Sequence, residues 1–84
     1  MSMTHFALLA KFGDTNIPLD KCCEEFFGMA PKKANERACL QDLPVPVYKL
    51  GGQRSPWLMD AKVLADYIDK RKAEAANDWM KIRA

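Results

Sequence analysis

Apolar residues recur at helical spacing in the middle of the chain and again near its end, and a run broken by prolines and glycines lies between. Over residues 19–27, Leu19, Cys22, Cys23, Phe26 and Phe27 return at three- and four-residue steps. Asp20, Lys21, Glu24 and Glu25 fill the other side, which predicts an amphipathic helix. Gly28 can end it. A second helix is predicted over 31–41, because Pro31 suits a first helical turn and Leu43-Pro44 blocks continuation. Ala30 takes its cap position. The small residues Ala34 and Ala38, one turn apart, mark the side that can approach a neighbour closely, with Met29, Cys39 and Leu40 as further apolar cover. Residues 28–44 therefore read as a tight turn and the second member of a helix pair, the stretch that meets a partner while the rest supports it.

The run after this pair predicts a small hairpin. Residues 45–50 are extended, with Pro44 and Pro46 suited only to an edge strand, and Gly51-Gly52 supply a reversal through positive backbone dihedrals. Pro56-Trp57-Leu58-Met59 returns, with Trp57 as core or hairpin cover. Asp60 can cap a long helix whose inward set is Ala61, Leu64, Tyr67 and Ile68, with Val63 alongside. Lys70-Arg71-Lys72 interrupts that stripe, read as a solvated surface, before Ala75, Ala76, Trp79, Met80 and Ile82 resume it. At the other end, Thr4 can cap a helix over 6–12 closed by Gly13, a strand being the rival reading; Ile17-Pro18 is extended. The expected fold class is mostly α with a small β-hairpin, an α+β single domain over 1–84. Its parts are an N-terminal helix and turn (1–16), a helix pair with hairpin (17–59), and a C-terminal helix and tail (60–84). The tail is expected to pack around Phe6, Leu9 and Phe12 of its own or another subunit, which makes Trp79, Met80 and Ile82 the candidate oligomer or partner interface.

Charge sharpens the picture more than composition does. The 84 residues carry a net charge of only +2. Residues 1–30 hold two lysines against four carboxylates, whereas Lys32, Lys33, Arg37, Lys49 and Arg54 face only Glu36 and Asp42 over 31–54. The positive excess thus falls on the second helix and the hairpin. Lysines there suit phosphates; Asn35 can pair with adenine and Arg37 with guanine, at the end of a helix suited to a major groove. An ordinary solvated helix face is the competing reading of the same charges. The odd number of cysteines, Cys22, Cys23 and Cys39, argues against a disulfide framework and reads as small buried hydrophobes. His5 is the single histidine. With it alone, no zinc site, acid-base pair or nucleophile constellation can be assembled, so no metal, cofactor, catalytic residue or small-molecule substrate is expected. Gly51-Gly52 lacks the lysine and following helix of a phosphate loop. No apolar run reaches the roughly 20 residues of a membrane span and no secretory signal is read, which places the expected location in the cytoplasm.

The segments in order resemble the winged helix-turn-helix modules of phage regulators and excisionases, a MerR-like group, and within it the pyocin activator protein (PrtN-type) family. The matching signs are Phe6-Ala7-Leu8-Leu9-Ala10, Ile17-Pro18-Leu19, Phe26-Phe27-Gly28, Leu43-Pro44-Val45-Pro46-Val47 and Leu64-Ala65-Asp66-Tyr67-Ile68-Asp69. They span about residues 5–72. Gln41 stands where the pattern places glycine, and Ala30-Pro31-Lys32 where the wider group often has Ser-Arg-Arg. The resemblance implies a transcriptional activator of prophage or phage-tail-like bacteriocin genes, nucleoid-associated, with double-stranded DNA as partner and a homodimer or higher oligomer formed on it. It implies DNA contacts from Lys32, Lys33, Asn35, Glu36 and Arg37 on the recognition helix. Gln53, Arg54 and Ser55 on the wing are carried over likewise, with Lys49 within reach of the backbone. An excisionase-type DNA-bending factor, or a phage protein-interaction module acting through the apolar tail, are the alternatives that the same residues leave open.

Overall fold

The computed structural model describes residues 2–52 and 54–83, without the side chains of Ile82 and Arg83. Its elements in order are α1 (Met3–Phe12), β1 (Asn16–Pro18), α2 (Leu19–Cys22), α3 (Pro31–Cys39), β2 (Leu58–Asp60) and α4 (Ala61–Arg83), and α2 runs on as a π-helical segment over Cys23–Phe27.

The first segment is a helix, not a strand. Ser2, rather than Thr4, caps it by accepting from the His5 amide at 3.0 Å, so α1 begins three residues earlier than the apolar run suggested. Thr4 is thereby inside the helix, where its hydroxyl donates to Asp69 at 2.6 Å and ties α1 to the middle of α4. Gly13 closes α1 in the left-handed region, at φ 71.

The helix over 19–27 keeps its expected bounds but not its form. After one α turn the bonding widens to the π pattern, and Gly28 ends it at φ 66. Both Phe26 and Phe27 pack against the core from this segment, Phe27 edge-on to Tyr67 at 5.6 Å between ring centres. α3 starts at Pro31 after Ala30, as its proline predicts, but stops at Cys39, two residues early. The cause lies at Gln41, which takes φ 55 and turns the chain back. A left-handed residue cannot belong to the right-handed helix, and glycine would hold that conformation at lower cost.

The expected two-strand hairpin of 45–50 with 56–59 is corrected to a single bridge, Tyr48 with Leu58, joined by hydrogen bonds of 3.0 and 2.8 Å. In an antiparallel ladder the next hydrogen-bonded pairs would be 46 with 60 and 50 with 56. Positions 46 and 56 are prolines without an N–H, so the ladder stops on both sides. The returning strand finds its partner elsewhere: β2 pairs with β1 in antiparallel register, Ile17 opposite Met59. Tyr48 adds to this seam by donating its hydroxyl to Asn16. At the reversal, neither Gly51 nor Gly52 needs positive φ. Gly51 lies close to Ser55, whose hydroxyl would have to rotate away to admit a Cβ at position 51.

The core gathers Leu8, Ile17, Leu19, Cys22, Cys23, Ala34, Ala38, Val45, Met59, Ala61, Leu64 and Ala65 around the short sheet. Cys39 departs from the buried expectation; it is exposed on the far side of α3 from Ala34. Asp60 caps α4 by accepting from the amides of Lys62 and Val63. The charged triplet at 70–72 does not break α4, whose 23 residues account for about 34 Å of a molecule 51 Å long. α4 enters the core only at its N-terminal half, and residues 70–81 are all exposed. The tail therefore does not cover α1 of its own chain: α1 lies against Ile68, Asp69 and Lys72, and Phe6 remains 60% exposed.

Candidate nucleic-acid interface

α3 is positioned by its two alanines. With Ala34 and Ala38 buried against α2, the helix axis is held close to its neighbour, and the opposite residues are fixed outward by the 3.6-residue period. Lys32, Lys33 and Glu36 occupy that outward side and are exposed. Asn35 and Arg37 sit on opposite flanks of it, and the structure treats them differently.

Asn35 faces the segment that was expected to be a wing. It lines a cleft of about 310 Å3 together with Lys49, Ser55 and Trp57. Lys49 extends over the Trp57 ring with its Nζ 4.6 Å from the centroid, a contact that fixes the cation beside the cleft. Asp20 and Cys39 share the same walls, so the cleft sets one carboxylate against one cation, Lys49. Arg54 is exposed at the turn, where the Ser55 amide donates to the Gly52 carbonyl at 2.9 Å. Gln53, expected at the tip, lies outside the described residues.

Arg37 turns the other way. It lines an open groove of about 640 Å3 with Phe26, Phe27, Met29, Tyr67 and Ile68, beside Arg71 and Lys72. The predicted residues thus divide into a set around the α3 face and the Lys49–Ser55 segment, and a single arginine that joins α4. Arg71 and Lys72, read from sequence as a solvated surface, are exposed as that reading has it, and they also border this groove. Their i, i+4 relation to Ile68 and Ala75 on a continuous helix was the signal available for them.

Among the interface candidates, Trp79 and Met80 are 60% and 69% exposed on the projecting part of α4. The Ile82 side chain lies outside the described residues. Among the described residues no group of three His, Cys, Asp or Glu could hold a metal ion, and no helix is long and apolar enough to cross a membrane. Burial first, then neighbouring Cys23 and the carboxylates of Glu25 and Asp20, push the Cys22 thiol up to about 12; it stays protonated and inert at neutral pH.

These features define a small, mostly helical protein with a two-strand antiparallel sheet, a cationic helix face and a long C-terminal helix. The sequence model of the pyocin activator protein PrtN family matches residues 4–75, and the chain belongs to that family. It is a family of regulatory activators, suggesting a regulator of pyocin genes. No curated protein and no solved structure matches the chain.

Proposed function

We propose that this chain is a DNA-binding transcriptional activator of pyocin or related prophage genes, built as a winged helix-turn-helix. α2 with its π-helical extension and α3 are the helix pair, and the 49–56 segment is a reduced wing. α3 enters the major groove through Lys32, Lys33, Asn35 and Glu36, while Lys49, Arg54 and Ser55 approach the backbone. The observation that carries this reading is the shared cleft, since Asn35 of α3 and Lys49 and Ser55 of the wing segment line one concave surface.

Local electrostatics support the same surface. Ala30 offers no side-chain cap to α3, and the first turn holds Lys32 and Lys33 in place of the acidic residues that would offset the positive end of the helix dipole. Such an end is stabilised by a phosphate. Glu36 opposes phosphate and fits the reading as an acceptor from a cytosine amino group. Arg37, on the groove side, contributes through its charge to the same helix.

With about four or five phosphates neutralised, log K should fall with log salt at a slope of about −4, from roughly 0.9 per phosphate. The test is a mobility-shift titration on the chain's own promoter fragment across a salt series. Replacing Lys33, Arg37 and Arg54 together by alanine should weaken binding and flatten the slope. Unchanged affinity in that triple variant would refute the reading.

A further inference from the structure

We propose that a second copy of this chain docks antiparallel on α4, the two helices crossing at Ala75 so that each projecting end lies in the other's groove. The interface takes in the Arg37 flank of α3 but not the Asn35 side that faces the Lys49–Ser55 segment, and it does not depend on the DNA-binding reading.

The stripe of α4 that faces the core, Ala61, Leu64, Ala65 and Ile68, continues at steps of three and four residues through Lys72, Ala75 and Trp79. Within the chain the core ends before the stripe does. All of residues 70–81 are exposed, and Trp79 keeps 60% of its surface in solvent on the same side as buried Leu64 and Ala65. Alongside this stripe runs the 640 Å3 groove, with Phe26, Phe27, Met29, Tyr67 and Ile68 as apolar lining and Ala75 at its α4 end. Stripe and groove are continuous, so an apolar helix laid on one necessarily meets the other.

Charge selects the occupant. Crossing at Ala75 sets the turn before it in one copy against the turn after it in the other. Arg71 then meets Asp78 of the second copy on one flank, and Lys72 meets its Trp79 on the other, an ion pair and a cation–π contact. The twofold axis makes each contact twice. A parallel arrangement would instead set Arg71 on Arg71 and Asp78 on Asp78, which like-charge repulsion disfavours. Within the chain Arg71 contacts Glu74 at 3.0 Å, an exposed i, i+3 pair worth too little to withhold the guanidinium from Asp78. Ala75 at the crossing lets the backbones approach, as Ala34 and Ala38 do for α3. The contact belongs to the small class of interfaces, under about 1,200 Å2, so association should be concentration-dependent.

Sedimentation velocity of the full chain without DNA, from micromolar to submillimolar concentration, tests this. The wild type should pass from monomer to dimer. Arg71→Asp and Asp78→Arg should each weaken dimerisation by about tenfold or more, and the double exchange R71D/D78R should restore it. Since both positions are exposed, helix content by circular dichroism should stay at the wild-type level in all three. A second measurement uses Ala75→Cys with Cys39→Ser, which should yield a covalent dimer on mild oxidation. A wild type that stays monomeric throughout, single variants that associate like the wild type, or a double variant that is not rescued would each overturn the proposal, as would failure of the A75C/C39S chains to cross-link.

Discussion

The nine-residue α3 closes its inner side completely with two alanines, whereas the 23-residue α4 buries its first half and carries the same stripe on into solvent as far as Trp79. Nine residues are too few for a helix to persist alone in water, so α3 exists because α2 and the core hold it. α4 can extend past its support because alanine, lysine, arginine and glutamate are strong helix formers. Small residues have opposite consequences in the two helices: buried Ala34 fixes a distance already in use, while exposed Ala75 and Ala76 leave a distance open.

Enlarging an alanine is the strongest way to break that contrast. Ala34→Leu should destabilise the fold by about 1–3 kcal/mol through overpacking between α2 and α3, while Ala76→Leu should change the midpoint of urea unfolding hardly at all. If both variants unfold alike, α3 is not held in the way described.

Alkaline pH probes the core beneath α3. The thiol of buried Cys22 is raised from an ordinary 9.0 to about 12, so folding keeps it neutral while the unfolded chain ionises. Its contribution is therefore intact below about pH 9 and is lost as pH rises from there toward 12. Tyr48, raised by partial burial and by Asp60 and Asp14, acts in the same sense. A Cys22→Ala variant should show a shallower fall of stability above pH 9 than the wild type, read from denaturation midpoints at each pH.

At the start of α4, Asp60→Ala removes the acceptor for two amides and should cost about 1 kcal/mol, since the long helix depends on its buried first turns for anchorage. The smallest effect belongs to the exit of α3. Gln41→Gly should raise stability by about 0.5 kcal/mol, relief of the left-handed φ being partly offset by a more flexible unfolded chain. A loss of stability there would mean that the Gln41 side chain holds the turn itself.

Helix boundaries marked by proline or glycine were legible in advance: Gly13, Gly28 and Pro31 each act as their backbone chemistry demands. Residues 45–59 were less so. Their prolines predicted an edge strand, yet the pairing of β2 with β1 joins positions some forty residues apart, and nothing local announces which extended segment will be opposite. At the candidate interface, periodicity separated Ala34 and Ala38 from the charged side. It could not tell that Asn35 would share a cleft with Lys49 while Arg37 joined Arg71 and Lys72. The exposure of Cys39 was missed for a related reason: its burial depended on how far the Lys49–Ser55 segment folds over α3.

The sequence by itself determined the helix ends that glycine and proline mark, which side of each helix is apolar, and that positive charge accumulates between Lys32 and Arg54, because these follow from dihedral limits and period. Only the tertiary structure decided which strand pairs with β2, which flank of α3 meets the Lys49–Ser55 segment, and how much of α4 the core can cover. Those outcomes depend on the limited apolar surface of a small domain and on contacts between residues distant in the chain, and no local pattern encodes either.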